Sequence, residues 1–294
     1  MNQSTVLIGI ITTQIICESF PISSNGHMRL VQRLADVFGN LHMPQLPEFF
    51  EPLLYGPTIL ILMLFFWRSW FGIVKIFFIK LGNVITSGVQ RGSLQSDRLF
   101  WTVFFKIMGL VVVADSVTVG CYFIKKYWLH DAAWLHSDWM LFGTFAVTAC
   151  LLVMTKFIPR MTSYRTSRIS FPLAILLGGL QGLCLITGLS RFASTYVLTR
   201  LFGVPHRRAF QFSFLILFPL ILADFVVHGV YDVLAAGVAH EVLNMPMMVT
   251  MLVACVPAYI AFMCAEKLAA RDKLWLFGLY MIIPLGATVM LLVC

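Results

Sequence analysis

Two short stretches carry hydroxyls, charged groups and helix breakers inside otherwise apolar sequence. The first is Gln14-Ile-Ile-Cys-Glu18-Ser-Phe-Pro21-Ile-Ser23-Ser24-Asn25-Gly26-His27, the second Thr187-Gly-Leu-Ser190-Arg191-Phe-Ala-Ser194-Thr195. Arg191 supplies a permanent planar cation whose donor fork matches phosphate oxygens. Glu18, Ser24 and His27 supply a base, a hydroxyl nucleophile and a proton donor or acceptor. Gln14, Ser23, Asn25 and Gly26 in the first stretch, and Ser190, Ser194 and Thr195 in the second, add candidate donors for an anionic ligand. A buried Glu18–Arg191 pair serving packing alone is the competing reading, and a lone His27 would read as a structural histidine.

These residues need elements that bring them together. Pro21 and Gly26 predict a break after a first helix, with Ser23, Ser24 and Asn25 as caps for the next. That next helix has apolar residues at Leu30, Val31, Leu34, Val37 and Phe38. The second stretch repeats the pattern, with hydroxyls capping its restart. Two helix N-termini facing one cavity direct free N–H groups and positive dipole ends into it, which makes an anion site.

The surroundings are membrane-like. Of 294 residues, 60% are hydrophobic and 12% charged, and the net charge is +8. That charge fraction is about half that of a soluble domain, which excludes disorder and a nucleic-acid-binding arm, and nucleic acid is not an expected partner. The bilayer is. Apolar runs fall at 1–17, 52–67, 107–124, 139–155, 169–190, 209–231, 242–265 and 274–294, with Asp115 and Asp224 inside two of them. Segments 68–98, 156–168, 200–208 and 266–273 hold most of the 21 basic residues. Loops 36–52, 124–138 and 231–245 hold only Lys125 and Lys126. The basic set is expected inside. Segment 70–98 reads as an amphipathic helix on the inner surface ending in a solvated linker at 91–98. Pro44, Pro47 and Pro52 mark an outer loop that carries Glu48 and Glu51. No Lys or Arg precedes Arg29, so the first apolar segment is expected to be retained. The seven cysteines read as small buried apolar residues.

With this topology the fold class is an all-α polytopic membrane protein with an inverted-topology repeat. Residues 1–168 form one half and 169–294 the other, each a re-entrant helical hairpin (1–50 and 169–208) followed by three transmembrane helices. A shift of 167 positions supports it: Gln14 falls on Gln181, Cys17 on Cys184, Ser23 on Ser190, Arg33 on Arg200 and Leu34 on Leu201.

At these motifs the chain resembles the BacA-type undecaprenyl-diphosphatases, also called bacitracin resistance proteins. Gln14-x-x-x-Glu18 and Pro21-Ile-Ser23-Ser24-Asn25-Gly26-His27 match the family's first motif in full, and Thr187 to Thr195 matches its second in part. The resemblance extends to Phe50-Glu51, Trp67-Arg68 and Phe212-Ser213-Phe214-Leu215 with Pro219. The departures are Thr187 for Pro, Phe192 for Ser, Gln211 for an acid and Met281 for Arg. The resemblance implies hydrolysis of a C55 isoprenyl diphosphate to undecaprenyl phosphate and inorganic phosphate at the outer face of the bacterial inner membrane. It also implies recycling of the lipid carrier of peptidoglycan synthesis, and bacitracin resistance. A divalent cation, Mg²⁺ or Ca²⁺, held in part by Glu18, is implied as cofactor. Either Ser24 or a water with His27 as base serves as nucleophile, and a homodimer is a state to test. The alternative is a prenyl-phosphate flippase or secondary transporter of the same architecture, with Asp115 and Asp224 as relay acids. A phosphohistidine route like that of type 2 phosphatidic acid phosphatases fails, because the required histidine position is Val197.

Overall fold

The computed structural model describes residues 3–39, 47, 49–86, 94–129, 132–158, 170–238 and 244–293. In chain order the helices are α1 (Gln3–Glu18), α2 (Ser24–Gly39), α3 (Tyr55–Thr86), α4 (Leu94–Trp128), α5 (Asp138–Met154), α6 (Phe171–Leu183), α7 (Arg191–Leu201), α8 (His206–Asp224), α9 (Met245–Ala270), α10 (Trp275–Tyr280) and α11 (Ile282–Val293). The described residues contain no strand. An apolar chain in lipid must satisfy its backbone internally, and helices do so within one segment. Among the described residues, five segments are long and apolar enough to cross a bilayer: Phe50–Arg68, Arg98–Trp128, His206–Ala235, Met245–Ala270 and Trp275–Val293. The expected span at 139–155 appears as α5, at 17 residues a shorter apolar helix. Beyond Asp224, α8 continues through a π-helical stretch, Phe225–Tyr231, into Asp232–Ala235.

α1 and α2 form one hairpin, α6 and α7 the other. Each hairpin's first helix packs on a helix far from it in the chain. α1 packs on α9, whereas α6 packs on α4; α2 meets α11, whereas α7 meets α5. Between them, α5 packs on α10 and α11. Close contact of α6 with α4 needs small residues. A Cβ on Gly178 would lie 2.2 Å from the Ala114 carbonyl oxygen, and one on Gly182 would lie 2.4 Å from the Cys121 Cβ. Small residues at such crossings let membrane helices approach without a hydrophobic driving force. An aromatic cluster of Phe192, Phe210, Phe214 and Phe262 fills the space under the second hairpin, with Phe192 and Phe214 centroids 4.4 Å apart.

Three local expectations are corrected. Residues 70–86 continue α3 instead of forming a separate surface helix. The run from Tyr55 to Thr86 has no proline after Pro57, so nothing ends the helix at the bilayer edge. At 1.5 Å per residue its 32 residues reach about 48 Å, well past the hydrocarbon core. In the proposed linker 91–98, residues from Leu94 onward already belong to α4. Gly26 does not break a helix; it lies in the first turn of α2. Pro44, Glu48 and the basic residues Arg91, Arg160, Arg165 and Arg168 lie outside the described residues.

Candidate active site

Each hairpin turns through a short non-helical tip and restarts on a capping serine. The Ser23 hydroxyl accepts from the Gly26 N–H at 3.2 Å. The Ser190 hydroxyl accepts from the Ala193 N–H at 3.1 Å. Both caps bond the N–H three residues on, the standard helix-start geometry. Because Ser23 takes this role, the Ser24 hydroxyl is left for other contacts. It donates to Glu18 Oε2 across the turn, and the Asn25 Oδ1 lies 3.2 Å away. Gln14 Nε2 donates to the same Asn25 Oδ1 at 3.2 Å, which fixes the amide from the far side.

The second tip is held by α5. Thr144 and Thr148, one helical turn apart, donate to the carbonyl oxygens of Thr187 (2.9 Å) and Gly188 (3.1 Å). The Ser190 N–H donates back to the Thr148 hydroxyl at 3.2 Å. Gly188 has φ +98°, a region that favours glycine. The tips touch at glycines: a Cβ on Gly26 would lie 2.8 Å from the Gly188 Cα and 2.5 Å from Phe145 Cε1.

Between the tips lies a narrow cleft. Glu18, Ser23, Ser24, Asn25, Ser190 and Arg191 form its polar wall. Phe20, Ile22, Ile186, Leu189, Phe192 and Leu217 form its apolar one. The other predicted residues stand behind these walls. Gln14, Ser194 and Thr195 are buried, and the Thr195 hydroxyl donates to the Arg191 carbonyl oxygen at 2.9 Å. His27 is 6% exposed, with its ring centroid 5.2 Å from Phe145 and 5.8 Å from Tyr280. Its Nδ1 donates to the Ser23 carbonyl oxygen at 2.6 Å, which leaves Nε2 as the acceptor.

Arg191 makes no ion-pair contact with Glu18 among the described residues. Its Nη2 donates to the Tyr55 hydroxyl at 2.7 Å, and that hydroxyl donates to Glu51 Oε1 at 2.9 Å. Behind the second tip, Lys125 Nζ donates to the Leu185 carbonyl oxygen at 2.6 Å. Tyr55, Lys125, Thr144 and Thr148 were not singled out from sequence. The threonines had a signal, two hydroxyls one turn apart in an apolar helix. Tyr55 and Lys125 had none, because their partners are 136 and 60 residues away.

Two of the four departures from the family pattern, Phe192 and Met281, are side chains packed into the interior. Phe192 stacks in the aromatic cluster, Met281 is fully buried in the cluster that holds Ile22 and Phe145, and Thr187 offers its carbonyl to Thr144. Gln211 is exposed on α8.

The oxygen-rich donor set suits a hard cation. Glu18, Asn25 Oδ1 and the Ser24 hydroxyl converge, but no group of three His, Cys, Asp or Glu forms among the described residues. Mg²⁺ is commonly bound in this way, by one or two carboxylates with substrate phosphates completing the shell.

In this helical bundle two touching broken hairpins bring Arg191, Glu18 and Ser24 to one cleft, and a guanidinium beside helix N-termini is a donor set that suits phosphate oxygens. Comparison with known proteins agrees. The family described as bacitracin resistance protein BacA matches residues 5–288, and the chain belongs to that family. It is a multi-pass membrane protein. It is 27% identical over 283 residues to an undecaprenyl-diphosphatase of Treponema denticola, covering 96% of this chain and 93% of that one. An undecaprenyl-diphosphatase of Desulforudis audaxviator is 26% identical, covering 98% and 96%. One from Rubrobacter xylanophilus is 26% identical, covering 94% and 92%.

Proposed function

We propose that this protein is an undecaprenyl-diphosphatase, hydrolysing C55 isoprenyl diphosphate to the monophosphate and inorganic phosphate. The observation that carries the reading is the Ser24–Glu18 hydrogen bond in a cleft that Arg191 also lines. Support comes from relatives named undecaprenyl-diphosphatase that match along nearly the whole chain. The diphosphate enters between the tips, and its prenyl tail leaves along the apolar wall. Arg191 and the first-turn N–H groups of α2 and α7 hold the terminal phosphoryl oxygens.

Glu18 accepts the Ser24 proton as Oγ attacks the terminal phosphorus. The bridging P–O bond breaks, and prenyl monophosphate leaves. Glu18 passes that proton to the departing monophosphate; water then attacks the phosphoserine phosphorus, and Glu18 takes the water proton and returns it to Ser24 Oγ as the P–O bond breaks. His27, whose ring packs against Phe145 and Tyr280, orients the first tip in this reading. Glu18, with Asn25 and Ser24, would hold a divalent ion, Mg²⁺ or Ca²⁺, which would supply charge neutralisation at the phosphoryl oxygens.

The packing of the hairpins supports two halves of opposite orientation, 1–168 and 169–294. So do the paired arginines. Arg33 bonds Asp138 bidentately at 3.1 and 2.7 Å, and its counterpart Arg200 lies 3.4 Å from Asp272. Asp138 opens the third span after the first hairpin, and Asp272 lies just before the third span after the second. With basic loops inside, the cleft opens to the outer face of the bacterial inner membrane, where the reaction recycles the peptidoglycan lipid carrier and underlies bacitracin resistance.

The test is product analysis with purified protein and C55 diphosphate. The reading expects one phosphate and one prenyl monophosphate per turnover with Mg²⁺ or Ca²⁺, arrest with chelator, and label trapped on Ser24 from terminally labelled substrate. Release of intact diphosphate as the leaving group would contradict it, and full turnover by Ser24→Ala would remove the serine route.

A further inference from the structure

Tyr55 belongs to no motif, yet it makes the only hydrogen bond that the described residues offer the Arg191 side chain. It is 1% exposed and is the first residue of α3. Glu51 lies one turn earlier, in the short helix Phe50–Leu53. The hydroxyl accepts from Arg191 at 2.7 Å and donates to Glu51 at 2.9 Å. A phenol can do both at once, whereas a carboxylate can only accept. Without the phenol, the open course for a guanidinium beside carboxylates is a direct bidentate pair, which would occupy the fork that phosphate needs. The anchor is rigid. A Cβ on Gly56 would lie 2.9 Å from the Phe225 ring, and one on Gly229 would lie 3.0 Å from the Leu53 nitrogen, so the π-helical stretch packs closely on this turn.

We infer that Tyr55, aimed by Glu51, is a positioning residue that holds the Arg191 guanidinium open toward the cleft. One N–H is fixed on the phenol and the others stay directed at the diphosphate. The inference rests on the phosphatase reading, and hydrolysis by the unmodified protein tests that reading alone; the latch is read as ratios to it. Tyr55→Phe keeps the ring and its packing and lowers kcat/KM about 10–100-fold. Glu51→Ala loses a similar factor, and the double variant loses no more than either single one. Glu51→Gln, whose amide oxygen still accepts from the phenol, regains about 10-fold over Glu51→Ala. The Mg²⁺ concentration for half-maximal activity stays the same throughout. Unchanged kcat/KM in Tyr55→Phe overturns the latch, as do multiplying losses in the double variant. So does a Glu51→Gln loss as large as that of Glu51→Ala with a raised Mg²⁺ requirement, which would make Glu51 a metal ligand.

Discussion

Neighbouring serines in the first tip have different work. Ser23 caps α2, and Ser24 bonds Glu18. The two roles separate experimentally. Ser23→Ala should cost about 1 kcal/mol of stability, the usual value of a lost cap, and lower turnover less than about 10-fold. Ser24→Ala should leave the melting temperature unchanged and remove turnover. Thermal unfolding in detergent and phosphate release, measured on both, check the division. The motif made both serines visible in the sequence but left the cap unassigned among Ser23, Ser24 and Asn25. Only the position of the turn decides that, and the turn depends on where α1 stops. On sequence grounds Glu51 belongs to an outer loop. Its bond through Tyr55 to Arg191 could not be read, because a tyrosine at the head of an apolar span looks like an ordinary interfacial aromatic.

At the scale of elements, the site depends on two tips being pressed together and on α5 holding the second. Gly26→Ala places a methyl group 2.8 Å from the Gly188 Cα and 2.5 Å from the Phe145 ring, so the tips must separate. The expected result is loss of most turnover with helix content unchanged by circular dichroism. Thr148→Val removes the partner of both the Gly188 carbonyl and the Ser190 N–H. Two buried backbone groups left unpaired cost about 1–3 kcal/mol each, which should appear as a lower melting temperature together with reduced kcat. Broken helices were legible from Pro21 and the polar runs, since such sequence has no place in a continuous span. The continuation of α3 through 70–86 was not, because the basic residues Lys75 and Lys80 signal an interface whether the helix bends there or runs on.

At the scale of the whole molecule, the two arginine–aspartate pairs bind hairpins to bundle with unequal weight. The Arg33 side chain is 40% exposed, whereas that of Arg200 is fully buried. Asp138→Asn should cost less, about 1 kcal/mol, because solvent screens the Arg33 end of the pair. Asp272→Asn leaves a buried guanidinium without its counter-ion and should cost about 3–5 kcal/mol. Chemical unfolding of the two variants side by side gives the comparison. The shift of 167 positions aligns Arg33 with Arg200, but their acids are separated by a different spacing and were not found with them.

The central claim is that one residue on each tip acts on one substrate. Phosphate release from C55 diphosphate, measured with Mg²⁺ for the wild type, Glu18→Ala and Arg191→Ala at matched folding, tests it most directly. Turnover is expected in the wild type, with a loss of at least about 100-fold in each variant. Wild-type turnover in either variant, or none from the folded wild-type protein, would contradict it.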